Sequence, residues 1–244
     1  MNQTQMTLTA ARSLTRDVWE LAFEGDTSAI ARPGQFVNIA VETQFLRRPI
    51  SVCDWSAGRL RLVCRVQGPG TRAICGAAPG TKFDMLMGLG NGYDIGKSTR
   101  RPILLGGGVG VPPLYGLAKA LLAAGITPVV AMGFGTRAEV FYEEEFRALG
   151  CEVRVSTVDG SCGEKGFVTQ LAAGTGCDYG ICCGPEPMLR AVHRLDQLAG
   201  GQFSFEERMG CGFGACMGCS CETKYGRKRI CKDGPVLLKE EIVW

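Results

Sequence analysis

The sequence predicts an α+β protein of several domains: an N-terminal antiparallel β-barrel, a central α/β domain on a parallel sheet, and a small C-terminal loop domain. Three observations predict it. Short β-rich runs fill the first part, strands and helices alternate through the second, and five of the chain's 13 cysteines fall between Cys211 and Cys231. A length of 244 residues accommodates two domains and an appendage.

In the first part, DVWELAFEG (17–25), QFVNIAV (35–41), PISVCDW (49–55) and RLRLVCRV (59–66) are strand-like runs bounded by Gly, Pro or charged turns. Short strands at such spacing suggest a barrel. The basic link KSTRRP (97–102) follows. Beyond it, ILLGGG is a buried strand, VPPLYGLAKALLAAG (111–125) a helix and TPVVAMGFG (127–135) a second strand. AEVFYEEEFRALG (138–150) reads as a helix, EVRVST (152–157) as a strand, YGICCGP (179–185) as another, and PEPMLRAVHRLDQLA (185–199) as a helix. This alternation means a parallel sheet. The periodicity stops near Gly200. The expected domains are therefore 1–99, 100–200 and 201–244.

A net charge of +3 is too small to argue for nucleic acid on its own, and no apolar run is long enough for a membrane span. The start, MNQTQMTLTA, lacks the pattern of a signal peptide, so the chain reads as cytoplasmic. In that compartment cysteines imply metal or redox chemistry. The eight outside the C-terminal group (Cys53, Cys64, Cys75, Cys151, Cys162, Cys177, Cys182 and Cys183) have no ligand spacing and read mostly as small buried hydrophobes. The single histidine, His193, rules out Ser–His hydrolysis and histidine-rich metal sites. It reads as structural.

Cys211, Cys216 and Cys219 form Cys-x4-Cys-x2-Cys, with Cys231 further on. This is the plant-type spacing for a [2Fe–2S] cluster held by four thiolates. Gly210, Gly212, Gly214 and Gly218 let the backbone curl and aim N–H groups at sulfur. Structural zinc prefers two Cys-x2-Cys knuckles, and one is present. Cys221 follows Cys219 too closely to continue the loop, which makes Cys231 the fourth ligand, with the exchanged assignment as the alternative.

In RRPIS, Arg48 and Ser51 flank Pro49 and Ile50, a setting in which a forked guanidinium can hold a flavin diphosphate. A charged hairpin corner is the plain alternative. In GGGVGVPP, Gly106, Gly108 and Gly110 precede a helix that begins with proline, where backbone can approach a phosphate closely. The pattern is Gly-x-Gly-x-x-Pro, a departure from the usual dinucleotide fingerprint. CCGPEPM places Cys183, Gly184 and Pro185 at the carboxyl end of a later parallel strand, where sheet ligands bind.

These stretches, with RVQGPGT (65–71) and GLGNGYDI (88–95), resemble the ferredoxin-reductase superfamily. Adding ERMGCGFGACMGCSC (207–221) and RICKDGPVL (229–237), the whole chain resembles the electron-transfer subunits of two-component, type 1B dihydroorotate dehydrogenases. The resemblance implies FAD contacts at Arg48, Pro49, Ile50 and Ser51, at Arg65, Val66 and Gln67, and at Gly70 and Thr71. It implies cluster ligands at Cys211, Cys216, Cys219 and Cys231, although the interval between the last two is shorter than in the family. It further implies an oxidoreductase of pyrimidine biosynthesis, in which electrons pass between NAD and an FMN-containing catalytic subunit in a heterotetramer of two plus two. A nicotinamide delivers an electron pair and a [2Fe–2S] cluster takes one, so a flavin must stand between them. No residues here read as catalytic toward an organic substrate, hence the partner.

Two alternatives share parts of this pattern: the flavin subunit of a ferredoxin–NADP transhydrogenase or sulfhydrogenase, and a zinc-stapled regulatory subunit that senses nucleotide. Arg137 is expected near the adenosine ribose, with a surface ion pair as the alternative. Cys183 is expected near the nicotinamide, with a packed thiol as its alternative. KYGRKR (224–229) reads as a solvated turn or an acidic-partner surface, and Glu143–Glu145 as an exposed helix face.

Overall fold

A computed structural model describes residues 1–42, 44–99 and 101–244. Arg100, the first residue of the expected second domain, lies outside the described residues.

Six strands close the barrel: β1 (Asn2–Ser13), β2 (Val18–Glu24), β3 (Phe36–Ile39), β4 (Arg48–Ser56), β5 (Arg59–Arg65) and β6 (Lys82–Leu89). Their order is β1-β2-β5-β4-β3-β6, with antiparallel pairing throughout. Alternation fills the interior: in KFDMLMGL of β6, Phe83, Met85 and Met87 point inward while Asp84 faces out. Closure leaves no free edge. A short helix, α1 (Pro69–Cys75), follows β5 with proline in its first turn.

The second part contains β7 (Ile103–Gly107), α2 (Pro113–Ala123), β8 (Val129–Phe134), α3 (Glu143–Ala148), β9 (Glu152–Thr157), β10 (Glu164–Lys165), β11 (Tyr179–Cys183), α4 (Glu186–His193) and β12 (Gly200–Ser204). The cysteine loop comes next, then a hairpin of β13 (Ser220–Thr223) and β14 (Gly226–Arg229), and finally β15 (Val236–Leu238). The main sheet runs β10-β9-β8-β7-β11-β12-β15, parallel except for β15, which lies antiparallel on β12. The boundary expected at 200/201 thus falls inside β12. Among the described residues no helix is long and apolar enough to cross a membrane.

Two helices are shorter than their patterns suggest. Residues 137–139 make a 3-10 turn and Tyr142 takes a left-handed φ of 69°, so α3 begins only at Glu143. Its first turn holds Glu143, Glu144 and Glu145, where carboxylates complement the helix dipole. After His193, α4 gives way to turns that bury Leu198.

Barrel and sheet share a core in which Val18, Cys53 and Val63 meet Leu104, Leu117 and Ile181. Helix α2 lies directly on β4, because a side chain at Gly116 would stand 2.7 Å from the Cys53 carbonyl oxygen. Lys119 Nζ pairs with Asp54 at 2.7 Å on the same seam. The Tyr142 hydroxyl donates to Glu20 at 2.5 Å and accepts from the Cys53 thiol at 3.2 Å. Gly116→Val is expected to lower stability by about 1–3 kcal/mol, the usual cost of overpacking. The check is a lower denaturation midpoint at unchanged slope.

Candidate functional site

At the carboxyl ends of β7, β8 and β11 lies a cavity of about 490 Å³, largely apolar, whose walls include Gly107, Gly108, Phe134, Glu139, Pro185 and Met188. The glycine motif builds it in two ways. A side chain at Gly110 would fall 2.1 Å from the Cys183 carbonyl oxygen, so the turn at 108–110 rests backbone to backbone on the end of β11. Gly108 takes φ +52° with open space at its Cβ position, leaving main chain free for close approach. Gly106 packs under Val111, and Gly184 lies under Met188. Cys183 is buried beneath the cavity, and burial pushes its thiol up to about 12.

Three charged residues stand in this wall, and two of them, Glu139 and Asp17, are not among the expected site residues. Glu139 follows β8, and its carboxylate accepts from the Gly135 N–H at 3.0 Å. Arg137 is exposed and does not line the cavity; its N–H donates to Ser161 Oγ at 2.8 Å. An acid after the second strand of a βαβ unit was the available signal. The other two, Asp17 and Arg65, come from the barrel and pair at 2.7 Å. Arg65 was foreseen as a flavin contact rather than as part of this wall.

On the barrel, β4 presents Arg48, Pro49, Ile50 and Ser51, paired with Ile39, Asn38, Val37 and Phe36 of β3. The Arg48 guanidinium crosses α1 where Gly70 leaves room: a Cβ there would sit 2.3 Å from Arg48 Nε. Arg48 also donates to Gln44 Oε1 and the Leu46 carbonyl, each at 2.5 Å. Thr71 Oγ1 accepts from the N–H groups of Gln67 and Gly68 at 2.9 and 3.2 Å, fixing the turn after Arg65 and Val66. RRPIS and RVQGPGT, distant in sequence, thus meet where the Arg48 guanidinium lies over Gly70, a planar fork of the kind that suits a diphosphate.

The cysteine loop follows Ser204 of β12. Gly212 (φ +79°), Gly214 (φ +91°) and Met217 (φ +61°) bend it through left-handed conformations. Cys211 Sγ accepts from the N–H groups of Ala215 and Cys216 at 3.2 and 3.4 Å, and Cys216 Sγ accepts from the Cys211 N–H at 3.5 Å. Cys219 Sγ accepts from the Cys231 N–H at 3.4 Å. Burial raises the Cys211 thiol, but the N–H donors of Cys216, Phe213 and Ala215 outweigh it and bring the group down to about 6. Burial and the neighbouring Cys219 push Cys231 up to about 12.

The four thiols therefore associate as two pairs, Cys211 with Cys216 and Cys219 with Cys231. Among the described residues no three Cys, His, Asp or Glu side chains converge as they would on one ion. A two-iron cluster takes two thiolates on each iron, which these two pairs supply. The residues fit the cluster. Cys221 stands apart on β13 and lines a separate cavity of about 280 Å³ with Trp244. KYGRKR is occupied internally, with Arg227 on Glu222, Lys228 on Glu241 and Arg229 on Asp233.

The model of the family described as the iron-sulfur cluster binding domain of dihydroorotate dehydrogenase B matches residues 206–243. The electron transfer subunit of dihydroorotate dehydrogenase B (NAD(+)) from Geobacillus sp. (strain WCH70) is 42% identical, over 100% of this chain and 99% of its own length. The chain belongs to this family of electron-transfer subunits. The corresponding subunit of Bacillus caldolyticus is 41% identical, over 98% of both chains. Among solved structures, a chain of an NADH-dependent reduced ferredoxin-NADP oxidoreductase superposes with a TM-score of 0.87 at 29% identity, covering 98% of this chain and 90% of that one. A ferredoxin NADP+ reductase from Neisseria gonorrhoeae, solved with bound FAD and NADP, shares the fold, with a TM-score of 0.68 at 14% identity over 79% of this chain and 89% of that one. As an electron-transfer subunit, the protein is an oxidoreductase component with a catalytic partner.

Cys231→Ser in this electron-transfer subunit is expected to abolish the [2Fe–2S] signal, and Cys221→Ser to retain it with full iron content. Paramagnetic resonance of the reduced protein, together with iron analysis, checks both.

Proposed function

We propose that this chain conducts electrons from the FMN of a dihydroorotate-oxidising partner to NAD, through a [2Fe–2S] cluster and FAD, in the cytoplasm and in an assembly of two such subunits with two catalytic ones. One observation carries the reading. Strand β4, which bears Arg48 to Ser51, lies between β5 and β3. Arg65 at the end of β5 lines the nucleotide cavity, and Asn38 of β3 donates to the Cys211 carbonyl in the cluster loop at 3.3 Å. A flavin on β4 then stands between nicotinamide and cluster, which is the order the electron count requires.

When bound, FAD exchanges a hydride with NAD and single electrons with the cluster. The chain's own residues bind and orient. Arg48, Gly70 and Thr71 would hold the diphosphate, and Pro49, Ile50 and Ser51 of β4, with Arg65, Val66 and Gln67 before α1, would hold the rest of the flavin. Asn38 Oδ1 is buried without a hydrogen-bond partner at this seam, an acceptor that a bound group would complete. Gly106, Gly108 and Gly110 shape the nucleotide turn, and Cys183, Gly184 and Pro185 close the strand end beside it. Cys211, Cys216, Cys219 and Cys231 hold the cluster. Cys216 is exposed, with Phe213 and Met217 of the same loop also uncovered, and we assign this end to the catalytic partner. The division 1–99, 100–200 and 201–244 then follows flavin, nucleotide and cluster.

A second reading, a transhydrogenase flavin subunit, draws on the similarity to the reduced ferredoxin-NADP oxidoreductase, and the partner decides between the two. Purified with its native partners, the complex is expected to show flavin and iron–sulfur absorption and to reduce NAD with dihydroorotate. Those bands with ferredoxin-dependent but not dihydroorotate-dependent turnover would favour the second reading; a colourless complex would overturn both.

Glu139 gives this site a preference for NAD. A carboxylate in the cavity wall can accept ribose hydroxyls and repels a 2′-phosphate. Glu139→Gln is expected to raise affinity for NADP about tenfold, or about 1.4 kcal/mol, while NAD binding weakens. Titration calorimetry with both nucleotides checks it.

A further inference from the structure

The stretch Gly90–Asp94 leaves the barrel after β6 and belongs to none of the three cofactor motifs. Its polar groups nevertheless tie the barrel to the segment after Cys231 and to the strands β11 and β12. The Asn91 N–H donates to the Gly234 carbonyl at 2.7 Å. Asn91 Nδ2 donates to the carbonyls of Asp233 and Val236 at 3.2 and 2.7 Å, and Oδ1 accepts from the Val236 N–H at 3.1 Å. The whole amide is thus engaged by residues 233–236, the segment between Cys231 and β15. Gly90 lets the two chains touch, since a Cβ there would lie 2.6 Å from Pro235 Cδ. On the barrel side, the Gly90 carbonyl accepts from Gln35 Nε2 at 3.0 Å, and the Gln35 carbonyl accepts from the Val52 N–H of β4 at 2.9 Å.

The next residues face the nucleotide side. Tyr93 is buried and its hydroxyl donates to the Cys182 carbonyl at 3.3 Å. Asp94 and Gln202 exchange two hydrogen bonds, at 2.8 and 2.9 Å.

We infer that Asn91 is the positioning residue for the flavin-to-cluster step, holding the segment of the last cluster ligand at a fixed place relative to β4. This rests on the function proposed above. Most other contacts between barrel and cluster segment are apolar, as where Phe36 and Leu89 meet Ile230 and Leu237. Apolar contact gives adhesion without direction, whereas three hydrogen bonds from the Asn91 side-chain amide and one from its backbone N–H fix both distance and orientation. Tyr93 and Asp94 hold the nucleotide side separately, so the two transfers respond to different residues.

The test uses the loaded complex, mixed rapidly with NADH, with flavin bleaching and cluster reduction followed separately. Asn91→Ala is expected to leave flavin reduction within about twofold and to slow cluster reduction about tenfold or more, as small misplacements do. The paramagnetic resonance of the reduced cluster is expected to keep its shape, while amide hydrogen exchange at 232–236 accelerates. Asn91→Asp, which keeps the acceptor and loses both side-chain donors, is expected to fall between, and it carries the test if the alanine variant does not fold. Equal slowing of both steps, slowing of neither, or unchanged exchange at 232–236 would overturn the inference. A wild-type complex in which NADH reduces no cluster would instead overturn the proposed function, while the exchange measurement would still judge the anchoring.

Discussion

Gly116 of α2 against the Cys53 carbonyl of β4 is the contact on which the remaining geometry depends. A helix normally stands off a strand by the length of its side chains; here main chain meets main chain. Of the two elements it joins, β4 begins at Arg48 and α2 is entered through the glycine turn at 108–110. Their close seating fixes the barrel against the strand ends that line the cavity, to which Asp17 and Arg65 of the barrel contribute. The Lys119–Asp54 pair and the Cys53–Tyr142–Glu20 chain of hydrogen bonds add direction to this packing. A non-glycine residue in the left-handed region costs about 1–2 kcal/mol, and Tyr142 is held there by burial of its ring against Tyr115 and Phe141.

The cysteine loop solves a different problem. Four thiols brought together without metal repel once ionised, so the backbone must favour the charged sulfurs. It does so unequally. Cys211 receives several N–H donors near the surface, whereas Cys219 and Cys231 are buried in the apolar layer with Ile230 and Leu237. One pair is therefore wet and the other dry. Partial charge at the outer pair is better solvated than at the inner one.

How much of this could be read from the chain depended on whether the signal was local. The parallel sheet was legible because ILLGG, VVAMGF and YGICC are buried on both faces and read as apolar runs. The ligand spacing around Cys211–Cys219 was legible because one loop supplies three thiols. Strand β1 was not, because NQTQMTLTAARS buries just Met6 and Leu8 and its remaining residues look like a polar leader. The alternation of β6 was present in KFDMLMGL but was passed over. Glu139 was overshadowed by Arg137 two residues earlier, and only the fold shows which of them lines the cavity. The internal partners of KYGRKR lie partly beyond the hairpin, at Asp233 and Glu241, so the run reads as free charge in sequence.

The least legible feature was the return of β15 to the main sheet, and it explains why a terminal cluster loop can work at all. A loop tethered only at its start would sample many distances from the flavin strand, and electron transfer would average over them. Without β15, strand β12 would also present an open edge, which invites pairing with other chains. Three residues, Val236–Leu238, close that edge and bring the segment after Cys231 back under barrel control. Phe205 at the head of the loop donates to the Pro235 carbonyl at its foot, at 2.9 Å, so both ends are pinned at one place. The exposed Cys216 and Met217 lie in the middle of the loop, while its two ends are held together where they meet the barrel.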